Sequence, residues 1–216
     1  MNPIPRKQRK KEQRRSEIID TAERLFYAKG FDNVTMEEIA EEVDLSKGSL
    51  YLHFRNKDSL FLAIVARRHG EWVEILAGRL SDLETGGEKL RAIIRWYVDI
   101  ARANPEYNEM ATTYGPLIWS RMESGAEIPG TENVVRYNLL LSDAVRAGIE
   151  DGTIRDDLDP TVLGMYLTLI SISVTSPLPA WKNGFGLAGV TFDQFLDSFS
   201  RFIEPSIDGS SQGRTG

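Results

Sequence analysis

Residues 35–60 read TMEEIAEEVDLSKGSLYLHFRNKDSL, and this stretch contains the start signals of two helices only a few residues apart. Thr35 and Glu38 have the spacing of a capping box, in which each side chain accepts a hydrogen bond from the backbone amide of the other residue. Ile39 and Val43 then continue an apolar stripe at helical spacing. We therefore predict a helix that begins after Thr35 and ends near Val43.

A second helix follows almost at once. Ser46 is a suitable N-cap, and Leu50 and Phe54 are four residues apart on one helical face. So short a connection makes the two helices cross at a steep angle, as in a helix-turn-helix. Asn56 can cap a further helix, and Gly30 is placed to end an earlier one in the left-handed conformation. The small core shared by these helices is predicted to contain Leu25, Phe26, Phe31, Ile39, Val43, Leu50 and Phe54.

The stretch AERLFYAKGFDNVTMEEIAEEVDLSKGSLYLHFRNKDSL, residues 22–60, resembles the N-terminal domain of the tetracycline-repressor (TetR) family of transcription regulators. The resemblance includes a Tyr-x-His-Phe signature and the lysine that follows it. It implies an all-α protein with an N-terminal three-helix helix-turn-helix domain, whose second motif helix enters the major groove, and a C-terminal helical domain for ligand binding and dimerisation. The partners it implies are a palindromic operator in double-stranded DNA, a second copy of the chain and a small-molecule effector.

The same resemblance implies roles for individual residues. It places Thr35 and Lys57 on phosphates, and Tyr51 and His53 on the DNA backbone or on adjacent bases. The residues that it places at or near base edges are Ser46, Lys47, Gly48 and Ser49.

Side-chain chemistry agrees with these roles but leaves simpler alternatives open. Lys47 is the best candidate for a guanine contact, whereas the serines bond to several bases and discriminate weakly. The helix carries no Asn, Gln or Arg, so DNA shape is expected to contribute to specificity. Alternatively, Tyr51 packs beneath the motif, His53 is a solvated surface residue and Lys57 is a charge on an exposed helix.

The first fifteen residues form a strongly basic run with one acidic residue, Glu12. We predict that residues 1–15 are a flexible arm that reaches a phosphate track or the minor groove. A solvated tail and a localisation patch are the alternatives. The cations of this run are Arg6, Lys7, Arg9, Lys10, Lys11, Arg14 and Arg15.

The basic character is confined to one end of the chain. Residues 1–68 hold 14 Lys or Arg against 11 Asp or Glu, whereas the whole chain holds 26 against 32. The remainder is therefore acidic, which disfavours contact with DNA outside the N-terminal region. We divide the chain into the arm, a DNA-binding domain at 16–60, an effector-binding and dimerisation domain at 61–205 and a disordered tail at 206–216.

Composition narrows the class of protein. A chain of 216 residues with 41% hydrophobic content can form two cores. It contains no cysteine, which excludes disulfides and thiolate chemistry and suits an intracellular protein. The N-terminus has no apolar secretory segment. We expect a cytoplasmic protein with no membrane partner and no cofactor.

Beyond residue 60 the apolar pattern stays helical, with one helix predicted at roughly 131–150. Residues 162–174 read VLGMYLTLISISV, which is too short for a membrane span and predicts a helix buried on several sides. A later helix carries a broad apolar stripe of Phe192, Phe195, Leu196, Phe199, Phe202 and Ile203. We predict that these two helices form a four-helix dimer interface, the stripe of the second being the less suited to a core within one chain.

The effector region is predicted between that interface and the DNA-binding domain. Most aromatic residues there are expected to be ordinary core. Those that could supply both apolar walls and polar handles are Trp96, Tyr114, Trp119 and Tyr137. Residues 176–191, rich in proline and glycine, are predicted to form a loop.

Two other classes of protein remain as alternatives. A helical enzyme would have to use carboxylates and lysine, because only His53 and His69 are available and the sequence has no glycine-rich phosphate loop. It would leave the basic run and the capped motif without a role, so we predict a regulator and not an enzyme. An architectural protein would bind DNA without sequence preference.

Overall fold

The computed structural model describes residues 5–121, 128–157, 159–177 and 184–209, except for the side chain of Trp119. These residues form helices and contain no β-strand; a single β-bridge pairs Ile154 with Asp208. The all-α class predicted from sequence is confirmed. The main helices are α1 Arg6–Lys29, α2 Met36–Glu42, α3 Lys47–Tyr51, α4 Lys57–Leu80, α5 Gly86–Ala103, α6 Pro105–Ser120, α7 Thr131–Glu150, α8 Pro160–Thr175 and α9 Phe192–Ile207.

The chain divides into two units. The first comprises the described parts of Met1–Arg68 and Tyr114–Gly130, and the second those of His69–Thr113 and Thr131–Gly216. Both α4 and α6 contribute to both units. The first unit thus includes the start of α4 up to Arg68 and the end of α6, while the division into functional domains at 16–60 and 61–205 stays a prediction.

The first unit has the core that the sequence predicts. All seven predicted core residues are buried. The ring of Phe31 contacts that of Phe26 in α1, with centroids 5.0 Å apart, and that of Phe61 in α4, at 5.9 Å. Gly30 ends α1 with φ 79°, a value that a side chain would disfavour. These contacts fix the turn between α1 and α2 against both α1 and α4.

From Arg6 onward the basic run is helical, whereas a flexible arm was predicted for residues 1–15, of which 1–4 lie outside the described residues. Helix α1 begins at Arg6, and its residues up to Arg15 are exposed. Lys, Arg and Gln are good helix formers, so this stretch continues the helix without needing an apolar face of its own.

The second unit has a separate apolar core built by α5, α7, α8, α9 and the end of α4. Helices α5 and α7 approach closely where two glycines meet: a Cβ on Gly86 would lie 1.9 Å from the backbone nitrogen of Gly148. Thr85 caps α5 with a complete capping box that includes Glu88.

Helices α8 and α9 differ from the sequence prediction in what they bury. The stripe of α9 packs largely inside the chain, since Leu196, Phe199 and Ile203 are buried. Helix α8, predicted to be buried on several sides, instead leaves Met165 and Leu169 about 60% exposed. Apolar pattern alone does not determine which partner covers a helix. Within the expected 176–191 loop, residues 184–187 form a helical turn, while 178–183 lie outside the described residues.

No helix in the part of the chain that the structure describes is both long and apolar enough to cross a membrane.

Candidate DNA-binding surface and effector region

The turn between α2 and α3 is tight. Asp44 has φ 53°, and the amide of Leu45 donates to the carbonyl of Ala40 at 2.8 Å. Thr35 caps α2 by accepting a hydrogen bond from the amide of Glu38 at 3.2 Å. The Glu38 carboxylate pairs chiefly with Lys29, which lowers its pKa, and the backbone amide of Thr35 lowers that pKa further. The predicted helix-turn-helix is thus present, and Glu38 divides its carboxylate between the cap and Lys29.

Ser46 and Ser49 hold the start of α3. The hydroxyl of Ser46 accepts from the amide of Ser49 at 3.2 Å, and the two hydroxyl oxygens lie 2.8 Å apart. This confirms Ser46 as the N-cap. Each hydroxyl is engaged by the other, so a base contact from either would have to share or replace this bond.

The residues on the outward face of α3 are exposed and contribute little to the core of the first unit. Lys47 and Gly48 are exposed, whereas Leu50 on the opposite side is fully buried. A Cβ placed on Gly48 would meet no atom within 4 Å, so the glycine leaves open space above the helix. This face is free to lie close to a ligand.

Lys47 forms an ion pair with Glu37 of α2. The hydrogen bond with Glu37 raises the pKa of the Lys47 amine, and the same bond lowers the pKa of the Glu37 carboxyl. Both side chains are exposed, so water screens the pair and it contributes little to stability. A guanine or phosphate that takes Lys47 has to compete with this carboxylate.

Tyr51 and His53 follow on the same segment. Tyr51 is 41% exposed, so its ring does not pack beneath the motif. His53 is half-buried, and its Nδ1 atom is enclosed without a hydrogen-bond partner among the described residues. The solvated histidine considered from sequence is therefore not what the structure contains. Leu52 between them is 85% exposed, a feature that sequence reasoning did not single out.

Lys57 differs most from its predicted role. Its ammonium donates to the carbonyl oxygens of Phe31 at 2.5 Å, Val34 at 2.9 Å and Asp32 at 3.3 Å, and it lies 4.4 Å from the Phe31 ring centroid. An ammonium has three protons, and here all three have acceptors within the protein. Lys57 thus holds the turn between α1 and α2, and we remove it from the proposed phosphate contacts.

Two arginines of the basic run contact the helix-turn-helix. The Arg14 guanidinium donates to the carbonyl of Val43 at the end of α2, at 3.4 Å, and the Arg15 guanidinium lies 4.8 Å from the centroid of the Phe54 ring. The basic part of α1 therefore extends from the side of the unit that carries the α2–α3 turn.

A buried carboxylate joins α1 to α4 within the first unit. Glu23 accepts hydrogen bonds from Tyr27, Arg67 and Arg68 at 2.6–2.7 Å. Burial and the bond to Glu23 raise the pKa of the Tyr27 hydroxyl. Sequence reasoning missed this network because its partners lie more than forty residues apart.

The four residues predicted for the effector region are not brought together as one described site. Tyr114 belongs to the first unit, where its ring centroid lies 5.0 Å from that of Phe31. Trp96 is a core residue of the second unit, with the Arg79 guanidinium 4.5 Å from its ring centroid. The side chain of Trp119 lies outside the described residues.

Tyr137, also in the second unit, is buried against a second tyrosine. Its ring contacts that of Tyr97 edge-on, with centroids 5.2 Å apart, and burial raises the pKa of both hydroxyls. The hydroxyl oxygen of Tyr137 makes no hydrogen bond of normal geometry to another described residue, but it interacts with the Tyr97 hydroxyl, which raises the pKa of Tyr137 further. A polar ligand group that reaches this hydroxyl would have to share it with Tyr97.

A cleft of about 440 Å³ lies elsewhere in the second unit, and its described lining includes none of Trp96, Tyr114 and Tyr137. The Arg102 guanidinium at the cleft pairs with the carboxylates of Asp197 at 2.5 Å and Asp193 at 3.4 Å. Two carboxylates around one guanidinium disfavour an anionic ligand there. The lining residues are Ala101, Arg102, Pro105, Asn108, Thr175, Phe192, Asp193 and Leu196.

Comparison with known proteins supports the nucleic-acid assignment. Residues 18–64 match the family model described as bacterial regulatory proteins, tetR family. This part of the chain is therefore similar to the region that the family model describes. The match spans α1 from Ile18, the helix-turn-helix and the beginning of α4, which are the elements that the resemblance in the sequence had indicated.

Similarity to known proteins extends beyond residues 18–64. The chain is 27% identical over 177 residues to the HTH-type transcriptional repressor Rv1474c of Mycobacterium tuberculosis, covering 82% of this chain and 88% of that protein. Its fold is similar to that of the transcriptional regulator FadR from Bacillus subtilis in complex with stearoyl-CoA, with TM-score 0.65, 17% identity and coverage of 88% and 95%. It is also similar to that of AibR in complex with isovaleryl coenzyme A and operator DNA, with TM-score 0.61, 23% identity and coverage of 89% and 98%.

Proposed function

We propose that this protein is a ligand-responsive transcriptional repressor of the TetR family that binds a palindromic operator as a homodimer and performs no catalysis. The observation that carries the proposal is the outward face of α3: a capped helix, fixed by buried Leu50 and Phe54, presents Lys47, Gly48 and Tyr51 away from the core. A rigid helix with an exposed, uncrowded face is what major-groove recognition requires.

The proposed DNA contacts divide into two kinds. Lys47, Gly48 and Ser49 face base edges together with Ser46, while Thr35, Tyr51 and His53 contact the backbone or adjacent bases. The exposed cations in the first turns of α1 add phosphate contacts. Phosphate contacts carry no sequence information, so discrimination between operators depends on the α3 face and on DNA shape.

Dimerisation is supported by α8. Its face of Met165, Tyr166, Leu169 and Ile172 is between 49% and 61% exposed, which is unusual for four large apolar residues on one helix. A second copy that covers this face would form a symmetric interface, and Phe202 of α9, which is 74% exposed, is a further apolar residue that it could cover. Two recognition helices about 34–36 Å apart would then read two half-sites.

Selection of bound sequences from a random DNA duplex library tests the function directly. Purified protein at physiological salt should retain duplexes that share a palindrome, because a symmetric dimer presents α3 twice. Binding without any shared sequence would contradict the proposal and favour the architectural alternative. The recovered palindrome then serves as the operator in the experiments below.

The proposed effector site lies in the second unit around Tyr137. Stearoyl-CoA and isovaleryl-CoA are the first probes, because two regulators of similar fold bind them. We expect one of these acyl thioesters, or a compound of related chemistry, to release the protein from its operator, and we expect Tyr137→Phe to raise the concentration needed. Ser81→Ala, which removes an exposed hydroxyl in the second unit away from Tyr137 in sequence and from the α8 face, is the control. Release by a probe with the same midpoint in both variants would remove Tyr137 from the site.

A further inference from the structure

Leu52 is an apolar side chain placed on the DNA-facing side of the first unit. It is 85% exposed, and it directly follows the last residue of α3. An exposed leucine on its own is common on protein surfaces. The inference therefore depends on its position among the residues around it.

The backbone keeps Leu52 in the register of the recognition helix. Its φ and ψ are −72° and −20°, within the right-handed helical region, so the helical spacing continues through it. Gly48 and Leu52 are four residues apart and thus share one face, next to the pair formed by Lys47 and Tyr51.

Gly48 allows DNA to approach the face of α3 that carries Leu52. A Cβ at that position would meet nothing within 4 Å, so no neighbour in the described structure requires a glycine there, and its φ is not positive. The missing side chain lowers the helix surface directly beside Leu52. A groove that approaches Gly48 closely brings its base edges to the isobutyl group of Leu52.

The partner that fits this side chain follows from the chemistry of the major groove. Of the four bases, only thymine presents an apolar group there, its 5-methyl group, and aliphatic side chains recognise it by contact. The other side chains of α3 offer few polar contacts to bases, because the hydroxyls of Ser46 and Ser49 bond to each other and Lys47 is paired with Glu37. An apolar contact is therefore the main unused means of base recognition on this face.

We propose that Leu52 determines part of the operator specificity by packing on the methyl group of one thymine in each half-site. This inference rests on the proposed function, since it needs sequence-specific binding through α3. It assigns to Leu52, the second residue of the Tyr-x-His-Phe signature, an apolar contact that the polar side chains of α3 do not make.

Replacing thymine by uracil tests the contact, because this removes the methyl group and leaves every hydrogen-bonding atom in place. Each thymine of the selected palindrome is replaced in turn, symmetrically in both half-sites, and affinity is measured by fluorescence anisotropy. At one position we expect about fourfold weaker binding for each methyl removed, and so about fifteenfold for the pair. The Leu52→Ala protein should bind both versions of the operator equally well.

Matched variants make the result specific to Leu52. Leu187→Ala removes the same side chain from a site that is 92% exposed in the second unit, and it should keep full discrimination between thymine and uracil. Leu52→Met should keep part of it. Thermal unfolding of Leu52→Ala should match that of the wild type, because the leucine packs on almost nothing.

The possible failures are distinguishable. If the library yields no palindrome, the proposed function fails. If a palindrome is bound specifically but no uracil substitution weakens binding, or if Leu52→Ala discriminates as the wild type does, the operator-binding function stands and the role of Leu52 is wrong.

Discussion

In the first unit, the contacts of each side chain indicate whether the residue stabilises the fold or is free to bind DNA. Lys57 illustrates the difference. Its ammonium satisfies three carbonyl groups in the turn after α1, and burial lowers its pKa. Lys47, in contrast, is exposed, and its partner is a single surface carboxylate. A lysine that follows a recognition helix is therefore not necessarily a phosphate ligand.

Lys57→Met should lower the free energy of unfolding by about 1–2 kcal/mol, because hydrogen bonds from a charged donor are lost and three carbonyls lose their partner. Chemical denaturation measures this change. Lys47→Met, the control, should leave stability nearly unchanged but weaken operator binding. A Lys57→Met protein of normal stability, whose plot of log affinity against log salt is shallower by about 0.9, would restore the phosphate assignment.

Protonation of His69 should lower the stability of the second unit. Its Nε2 atom lies 2.9 Å from the Tyr107 hydroxyl, its ring contacts Trp72, and burial lowers its pKa below the ordinary 6.5. The unfolded chain therefore binds a proton at a higher pH than the folded chain does. It follows that stability is lost as the pH falls below about 6.5.

Denaturation midpoints between pH 7.5 and pH 5 measure this effect. The wild type should become less stable towards pH 5, whereas His69→Phe, which keeps an aromatic ring but cannot be protonated, should lose less over the same range. His53→Phe is a control in the other unit. Parallel curves for the wild type and His69→Phe would show that other groups account for the acid sensitivity.

At the scale of elements, local signals were enough to predict some helices and not others. The caps at Thr35 and Ser46, the end of α1 at Gly30 and the span of α7 follow from residues close in sequence, and the structure confirms them. The start of α1 at Arg6 was missed because a run of cations has no apolar stripe. Helix propensity, which Lys, Arg and Gln possess, was the signal that could have indicated it.

The roles of Lys57 and Glu23 could not be predicted in the same way. Each depends on segments distant in sequence: the turn at residues 31–34 for Lys57, and Arg67 and Arg68 for Glu23. The exposure of α8 was missed for a related reason, since an apolar sequence does not specify its partner. What the sequence predicts well is thus local, and what it misses is mostly tertiary.

The cations at the start of α1 form one continuous face of the helix. Lys7, Lys10, Lys11 and Arg14 have the spacing i, i+3, i+4 and i+7, which places them on one helical face. Because Arg14 reaches the end of α2, this face continues the side of the unit that carries the helix-turn-helix. A helix directs these cations along one line, which suits a phosphate track better than insertion of an extended arm into the minor groove.

Replacing Lys7, Lys10 and Lys11 together by glutamine should weaken binding to operator and random DNA alike. The slope of log affinity against log salt should fall by up to about 2.7, which corresponds to three phosphate contacts. Helicity and melting temperature should be preserved, because the three side chains are exposed and glutamine is a good helix former. The control is Arg146→Gln with Arg201→Gln in the second unit; an equal loss of slope there would indicate a general charge effect.

For the whole molecule, the distribution of charge and exposed apolar surface favours association of two copies of the chain. The acidic second unit is unsuited to DNA, yet it carries the exposed apolar face of α8. A monomer would place one recognition helix on one half-site, whereas a dimer places two on a palindrome, and their binding free energies combine. Operator affinity should therefore depend on residues that are far from α3 in sequence.

Met165→Glu combined with Leu169→Glu tests this dependence. Charges on both residues should convert the protein from dimer to monomer in sedimentation velocity, because burying two unpaired carboxylates opposes association. Affinity for the full palindrome should fall at least tenfold, while binding to an isolated half-site should stay as it was. Ile75→Glu adds a charge at an apolar residue of α4 that is 50% exposed, and it should change neither property. A double variant that remains dimeric would place the interface on another surface, and one that is monomeric with full operator affinity would show that each chain binds DNA on its own.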